Sequence, residues 1–206
     1  MNSILKIFSI LLGYNFFKRI QSFKSILISF SLNRRLNEVS GFARFQFPTK
    51  AIGLENINIG ENFAAGKNLR LQAISEYLSF KYEPRIRIGN NVTINPNCQI
   101  VSINEIIIGD NVLLASNVFI SDHSHGYNSI ADIHTPPSER KLVSKGAVVI
   151  ESNVWIGQNV SILPGVRVGH NCIIGSNSVV TKDIPDFTIA AGCPAVIIKR
   201  IITDSI

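Results

Sequence analysis

The chain has 206 residues, 46% hydrophobic and 17% charged, which fits one domain with at most an appendage and excludes a disordered chain. Three cysteines, an odd number without paired spacing, exclude a disulfide scaffold and fit a reducing compartment. The net charge of +6 is local, because Lys6, Lys18, Arg19, Lys24, Arg34 and Arg35 all precede the first acid, Glu38, and the neutral remainder lacks the distributed basic face of a nucleic-acid-binding body.

Residues 1–37 set those six cations among Ile, Leu and Phe at nearly every helical position, with Asn2 and Ser3 as an N-cap and Gly13 as a weak point. The longest uncharged stretch in this segment, Ile7 to Phe17, is 11 residues, and no apolar run in the chain reaches the ~20 that span a bilayer. A cationic, aromatic-containing amphipathic helix without acids suits the surface of an anionic membrane. A helix packed on its own body or on a sister subunit, and an uncleaved signal-like segment, stay open as alternatives.

From residue 52 a period of six takes over. Hexads start at Ile88, Ile94 and Ile100, restart at Ile108, Leu114 and Ile120, and resume at Ile150, Ile156, Ile162, Val168, Ile174 and Val180. Every start is Ile, Leu or Val. Asn fills the fourth position in Asn91, Asn97, Asn111, Asn117, Asn153, Asn159, Asn171 and Asn177, and small or β-branched residues such as Val92, Cys98, Val112 and Cys172 fill the fifth. A weaker version runs through Ile59-Gly60-Glu61-Asn62-Phe63 and Ala65-Gly66-Lys67-Asn68-Leu69. Starts and fifth positions should point inward, while Asn tolerates the left-handed backbone of a sharp corner, as Gly165 and Asp183 would elsewhere in the series. Three short strands joined by such corners close a coil, and coils stack as parallel strands. The expectation is an all-β solenoid over 52–187, in five coils at 59–76, 88–105, 108–125, 150–167 and 168–185. Residues 77–87 read as a connector or an irregular coil, about 126–145 as an extruded loop, and 188–206 as a tail.

These features resemble the hexapeptide-repeat acyltransferases, a left-handed parallel β-helix family, over roughly residues 52–200. Three motifs carry the resemblance: Ser121-Asp122-His123-Ser124-His125-Gly126-Tyr127 opening the loop; Asn153-Val154-Trp155-Ile156-Gly157 with Leu163-Pro164-Gly165-Val166; and Val179 to Pro185 leading to Ala191-Gly192-Cys193-Pro194-Ala195. The last pair looks like the sugar and exopolysaccharide O-acetyltransferase branch. The left-handed winding is carried by the resemblance alone. It implies a homotrimer with acetyl-CoA in the groove between neighbouring solenoids, and a histidine that takes the proton of an attacking sugar hydroxyl.

The slot of the family's histidine matches His125. His123 falls on the corner slot otherwise held by Asn, so a left-handed structural role competes with a catalytic one. Asp122 could orient a ring or touch substrate, and Tyr127 and His134 are further substrate contacts. The resemblance places Trp155 beside the acetyl end of the donor or the acceptor, with trimer packing as the alternative. It also places Gly157, Ser176, Thr181, Lys182 and Lys199 along the CoA groove, the lysines near the phosphates. Val196 stands where some relatives have Arg, a contact that Arg200 could supply.

The leading function is therefore acetyl-CoA-dependent O-acetylation of a capsule, exopolysaccharide or O-antigen precursor. The setting is cytoplasmic, peripheral to the inner face of the membrane through residues 1–37. Competing readings are transfer to an antibiotic or nucleotide-linked amino sugar, a metal enzyme on the same solenoid, and a non-catalytic solenoid. No metal is expected, because the histidines lack the spacing of a three-histidine site on adjacent coils.

Overall fold

The computed structural model describes residues 13–127 and 129–201. Three parallel sheets form the walls of a prism, and each coil visits faces A, B and C in that order. Face A stacks Glu38–Val39, Ile57–Ile59, Arg85–Ile88, Glu105–Ile108, Val148–Ile150 and Arg167–Val168. Face B stacks Arg44–Phe45, Ala64–Ala65, Thr93–Ile94, Leu113–Leu114, Trp155–Ile156, Ile173–Ile174 and Thr188–Gly192, closed by the antiparallel strand Ala195–Arg200. Face C stacks Thr49–Ile52, Leu69–Ala73, Gln99–Ser102, Phe119–Ser121, Ser161–Ile162 and Val179–Val180. This is the parallel β-helix that the six-residue period predicts.

The hexad letters explain the stacking. All twelve hexad starts are buried, as are the small fifth-position residues from Val92 to Ser178. In-register pairs such as Ile94 with Leu114, Leu114 with Ile156 and Ile156 with Ile174 build continuous apolar columns. Each such side chain contributes about 1.5–3 kcal/mol by leaving water.

Ten asparagines take positive φ, between +56° and +65°. Asn62, Asn91, Asn111, Asn153 and Asn171 turn the chain from face A to face B, and Asn68, Asn97, Asn117, Asn159 and Asn177 turn it from B to C. Their amides also bond along the axis. Asn62 donates to Asn91, Asn91 to Asn111 and Asn111 to Asn153, at 2.9–3.0 Å, and Asn117, Asn159 and Asn177 form a second run.

The structure differs from the sequence expectation at both ends and at the C-to-A corner. The solenoid starts at Glu38 rather than 52, so six coils precede the last strands, not five. The first coil escaped notice because Gly41, at φ +80°, and Pro48, stacked beside Asn68, replace the corner asparagines. Residues 188–200 are no loose tail, because they extend face B. The supposed connector 77–87 includes a hairpin pairing Glu76–Tyr77 with Phe80–Lys81. Gly165 has the expected left-handed backbone, but Asp183 does not; its carboxylate instead accepts the Arg167 N–H at 2.8 Å.

Helix α1, Tyr14–Asn33, follows Gly13 and lies against the first strand of face B; the proposed N-cap at Asn2 and Ser3 falls outside the described residues. Arg44 and Gln46 donate their N–H groups to the second coil, so those of Ala43, Phe45 and Phe47 point the other way. Side chains one helical turn apart meet them: Asn33 Oδ1 accepts from Ala43, Ser29 Oγ from Phe45 and Ser25 Oγ from Phe47, at 2.9–3.0 Å. Asn33 Nδ2 donates to the Ala43 carbonyl at 2.7 Å. Leu32 enters the core beside this polar seam.

Asn111→Ala should lower stability by about 2–3 kcal/mol, combining left-handed strain with two lost amide bonds. Asn111→Gly keeps the backbone freedom and should cost about 1 kcal/mol less. Denaturant midpoints of the two variants give the order, and an equal loss would remove the strain argument.

Candidate active site

Two corners of the prism are closed by asparagine, and the excursions leave from the third, between faces C and A. The larger one leaves after Ser121. Its neck is a short antiparallel ladder of His123–His125 with Leu142–Ser144. Beyond it lie helix α2, Ile130–Ile133, and a single helical turn at Pro137–Glu139. Ser129 caps α2 reciprocally with Asp132, whose carboxylate also accepts the Tyr127 N–H at 2.7 Å. Gly126, at φ +83°, permits this fold-back, since a Cβ there would come within 2.9 Å of Asp132.

The smaller excursion, the 76–81 hairpin, leaves from the same corner two coils earlier and braces the larger one. Tyr77 Oη donates to the Ser138 carbonyl at 2.7 Å, and Tyr82 Oη accepts the Leu142 N–H at 2.9 Å. Between them opens a cleft of about 620 Å³, lined in part by Tyr82, Asn104, Tyr127, Lys141 and Ser144. Lys141 Nζ sits 5.0 Å from the centre of the Tyr127 ring. Neither Tyr77 nor Tyr82 figured among the sequence candidates. The signal was there: both breaks in the six-residue period fall after the third strand of a coil.

Asp122 is the residue whose expected role changes most. It is not exposed to a substrate, because its side chain is fully buried at the root of the loop. Its carboxylate accepts from Ser102 Oγ at 2.6 Å, from the N–H groups of Ile103 and Asn104 at 3.0 and 2.8 Å, and contacts His123 Nδ1 at 2.9 Å. Burial pushes this carboxyl up, but the bonds from His123, Ser102, Ile103 and Asn104 outweigh it and hold it below the ordinary carboxylate range. A charged acceptor at four converging donors fixes where the chain leaves the prism.

His123 is not a left-handed corner either; it is a strand residue with its ring held between Asp122 and Ser121 Oγ, the latter at 3.2 Å from Nδ1. That leaves Nε2 as its free nitrogen. His125 is exposed and meets the Tyr77 ring edge-on, with centroids 5.5 Å apart. Tyr127 lines the cleft; His134, at the end of α2, is exposed and does not.

The remaining candidates fall into two groups. Thr181 and Lys182 are exposed at the C-to-A corner, on the same edge as the histidines but on the last full coil. Trp155 lies on face B, 51% exposed, in an outward row with Leu113 and Ile173. Gly157 and Ser176 sit at the corner between B and C, and Lys199 on the closing strand of B. A Cβ on Gly157 would meet the Ser176 nitrogen and Ile174 oxygen at 2.7 Å, so coil stacking already requires glycine there. Ser176 Oγ accepts the Gln158 N–H at 3.2 Å. Among the described residues no three His, Cys, Asp or Glu side chains gather in a metal-binding arrangement.

The bacterial transferase hexapeptide model of six repeats matches residues 147–182. The chain is 41% identical over 159 residues to the putative lipopolysaccharide biosynthesis O-acetyl transferase WbbJ of Escherichia coli, covering 75% of this chain and 77% of that one. It is 41% identical over 122 residues to the galactoside O-acetyltransferase of Escherichia coli, covering 59% and 57% of the two chains. Among solved structures, a variant of AntD, an N-acyltransferase from Bacillus cereus in complex with dTDP-4-amino-4,6-dideoxyglucose and coenzyme A, superposes with a TM-score of 0.67. That match covers 82% of this chain and 86% of AntD at 19% identity, and it shows the fold, a left-handed β-helix.

Asp122→Asn should cost about 2–3 kcal/mol, because an amide brings an N–H to a site crowded with donors. The depressed folded-state value means that Asp122 stabilises the protein above the ordinary carboxylate range, an advantage lost as pH falls through the folded value. The acid limb of a stability-versus-pH profile should therefore be shallower in the variant than in the wild type. Parallel limbs would show that Asp122 carries no linked proton.

Proposed function

The chain belongs to the hexapeptide-repeat acyltransferases, and on that premise we propose that it moves an acetyl group from acetyl-CoA to a sugar hydroxyl of a lipopolysaccharide, capsule or exopolysaccharide precursor. The observation that carries the reading is the neck of the loop, where two histidines stand at the one prism corner that, among the described residues, releases chain excursions. The relation to WbbJ supports an O-linked glycan acceptor. AntD binds a nucleotide-linked amino sugar, but a likeness at 19% identity extends no further than the fold.

In this mechanism His125 takes the proton from the acceptor hydroxyl as its oxygen attacks the thioester carbonyl. The tetrahedral intermediate collapses, the C–S bond breaks, and the protonated ring returns its proton to the CoA sulfur. A second assignment, His123 as the base, is favoured by its contact with Asp122 at 2.9 Å, which would stabilise the imidazolium and fix the tautomer. Trp155, Gly157, Ser176 and Lys199 would hold the donor together with Thr181 and Lys182.

Those two groups occupy different edges of one prism, which supports a homotrimer in which the C-to-A corner of one subunit faces the B side of its neighbour. The cysteine usage supports a cytoplasmic setting.

Calorimetric titration of acetyl-CoA should give similar affinities for the wild type and His125→Ala, while kcat with a glycan acceptor falls about 10²–10⁴-fold in the variant. A large loss in His123→Ala with little in His125→Ala would transfer the base to His123. Absence of acetyl-CoA binding in the wild type would overturn the proposal.

A further inference from the structure

Helix α1 is oriented against the usual rule for an amphipathic helix. Its Ser25, Ser29 and Asn33 face the protein, because they hydrogen-bond the free edge of the first strand of face B. The helix cannot roll its apolar side inward without leaving those strand amides unpaired. The apolar side is therefore held outward. Phe16, Ile20, Phe23, Leu27 and Phe30, spaced four, three, four and three residues apart, form one stripe, and each is 36–61% exposed. Exposed Arg19, Lys24, Arg34 and Arg35 accompany this stripe, and no acid occurs from Gly13 to Asn37.

We infer that this face of α1 docks the protein on an anionic phospholipid surface, with the helix lying in the plane of the interface. Five large apolar side chains supply insertion, and the cations supply attraction to the headgroups. A second copy of the helix is the poorer occupant, since it would bring the same cations together with no acid to pair them. Among the described residues no helix is long and apolar enough to span a bilayer. The inference stands independently of the acyl-transfer reading.

The test uses the full chain, sedimented with vesicles of phosphatidylcholine alone or mixed with phosphatidylglycerol. The wild type should partition onto the mixed vesicles and not the neutral ones. Replacing Ile20, Phe23 and Leu27 together by Ser should reduce binding more than about tenfold. The variant Arg19→Gln/Lys24→Gln should lose about fivefold per cation and respond less to added salt. Far-UV dichroism and solution mass establish that each variant keeps its fold and assembly. The inference is overturned if the wild type stays in solution, if the serine variant sediments like the wild type, or if that variant changes the assembly size, which would make a second copy the occupant.

Discussion

A coil of this prism closes because the backbone bends through a left-handed residue at the end of face A and again at the end of face B. That conformation costs an ordinary residue about 1–2 kcal/mol, so repeating it in coil after coil selects asparagine, whose amide can also bond to the amide above and below. The two ladders that result leave little freedom at those corners. An insertion there would interrupt both the turn and the amide run. The third corner has no such ladder, and the hairpin at 76–81 and the long loop both leave from it.

The candidate site follows from that asymmetry. Two excursions two coils apart lean together through Tyr77 and Tyr82, and the loop is rooted by a carboxylate that never reaches solvent. Asp122 does for the loop what the asparagines do for the coils, fixing the direction in which the chain departs. His123 and His125 lie within three residues of that anchor, on the antiparallel ladder that forms the neck of the excursion. The tip, by contrast, depends on local capping by Ser129 and Asp132.

Much of the solenoid was readable from the period alone, because a six-residue repeat has one geometric solution that buries every first and fifth residue. The first coil was not readable, since Gly41 and Pro48 achieve its corners by other means. Of the two roles expected of Asp122, holding a ring is met at His123, while contact with substrate fails because the chain leaves face C at Ser121 and turns the carboxylate inward. The corner slot expected of His123 comes from extending the six-residue period past Ser121, where the chain has already left the coil. The contacts of Tyr77 and Tyr82 join residues about sixty positions apart, beyond the reach of any local pattern. The packing of α1 was equally hidden, as a helical wheel identifies an apolar face but not which face the body needs.

The seam of Ser25, Ser29 and Asn33 also bears on how one solenoid avoids becoming many. A β-helix ends in strands whose backbone groups point along the axis, ready to continue the stack with another molecule. On face B the helix occupies that position with side chains that imitate the next strand's hydrogen bonds but offer no backbone for further addition. At the other end of the same face, Ala195–Arg200 runs antiparallel and breaks the stacking direction. Face B is thus terminated at both ends. A chain shorn of α1 would gain an open strand edge at that end alone, and its characteristic failure would be head-to-head pairing of two such ends rather than loss of the coils themselves.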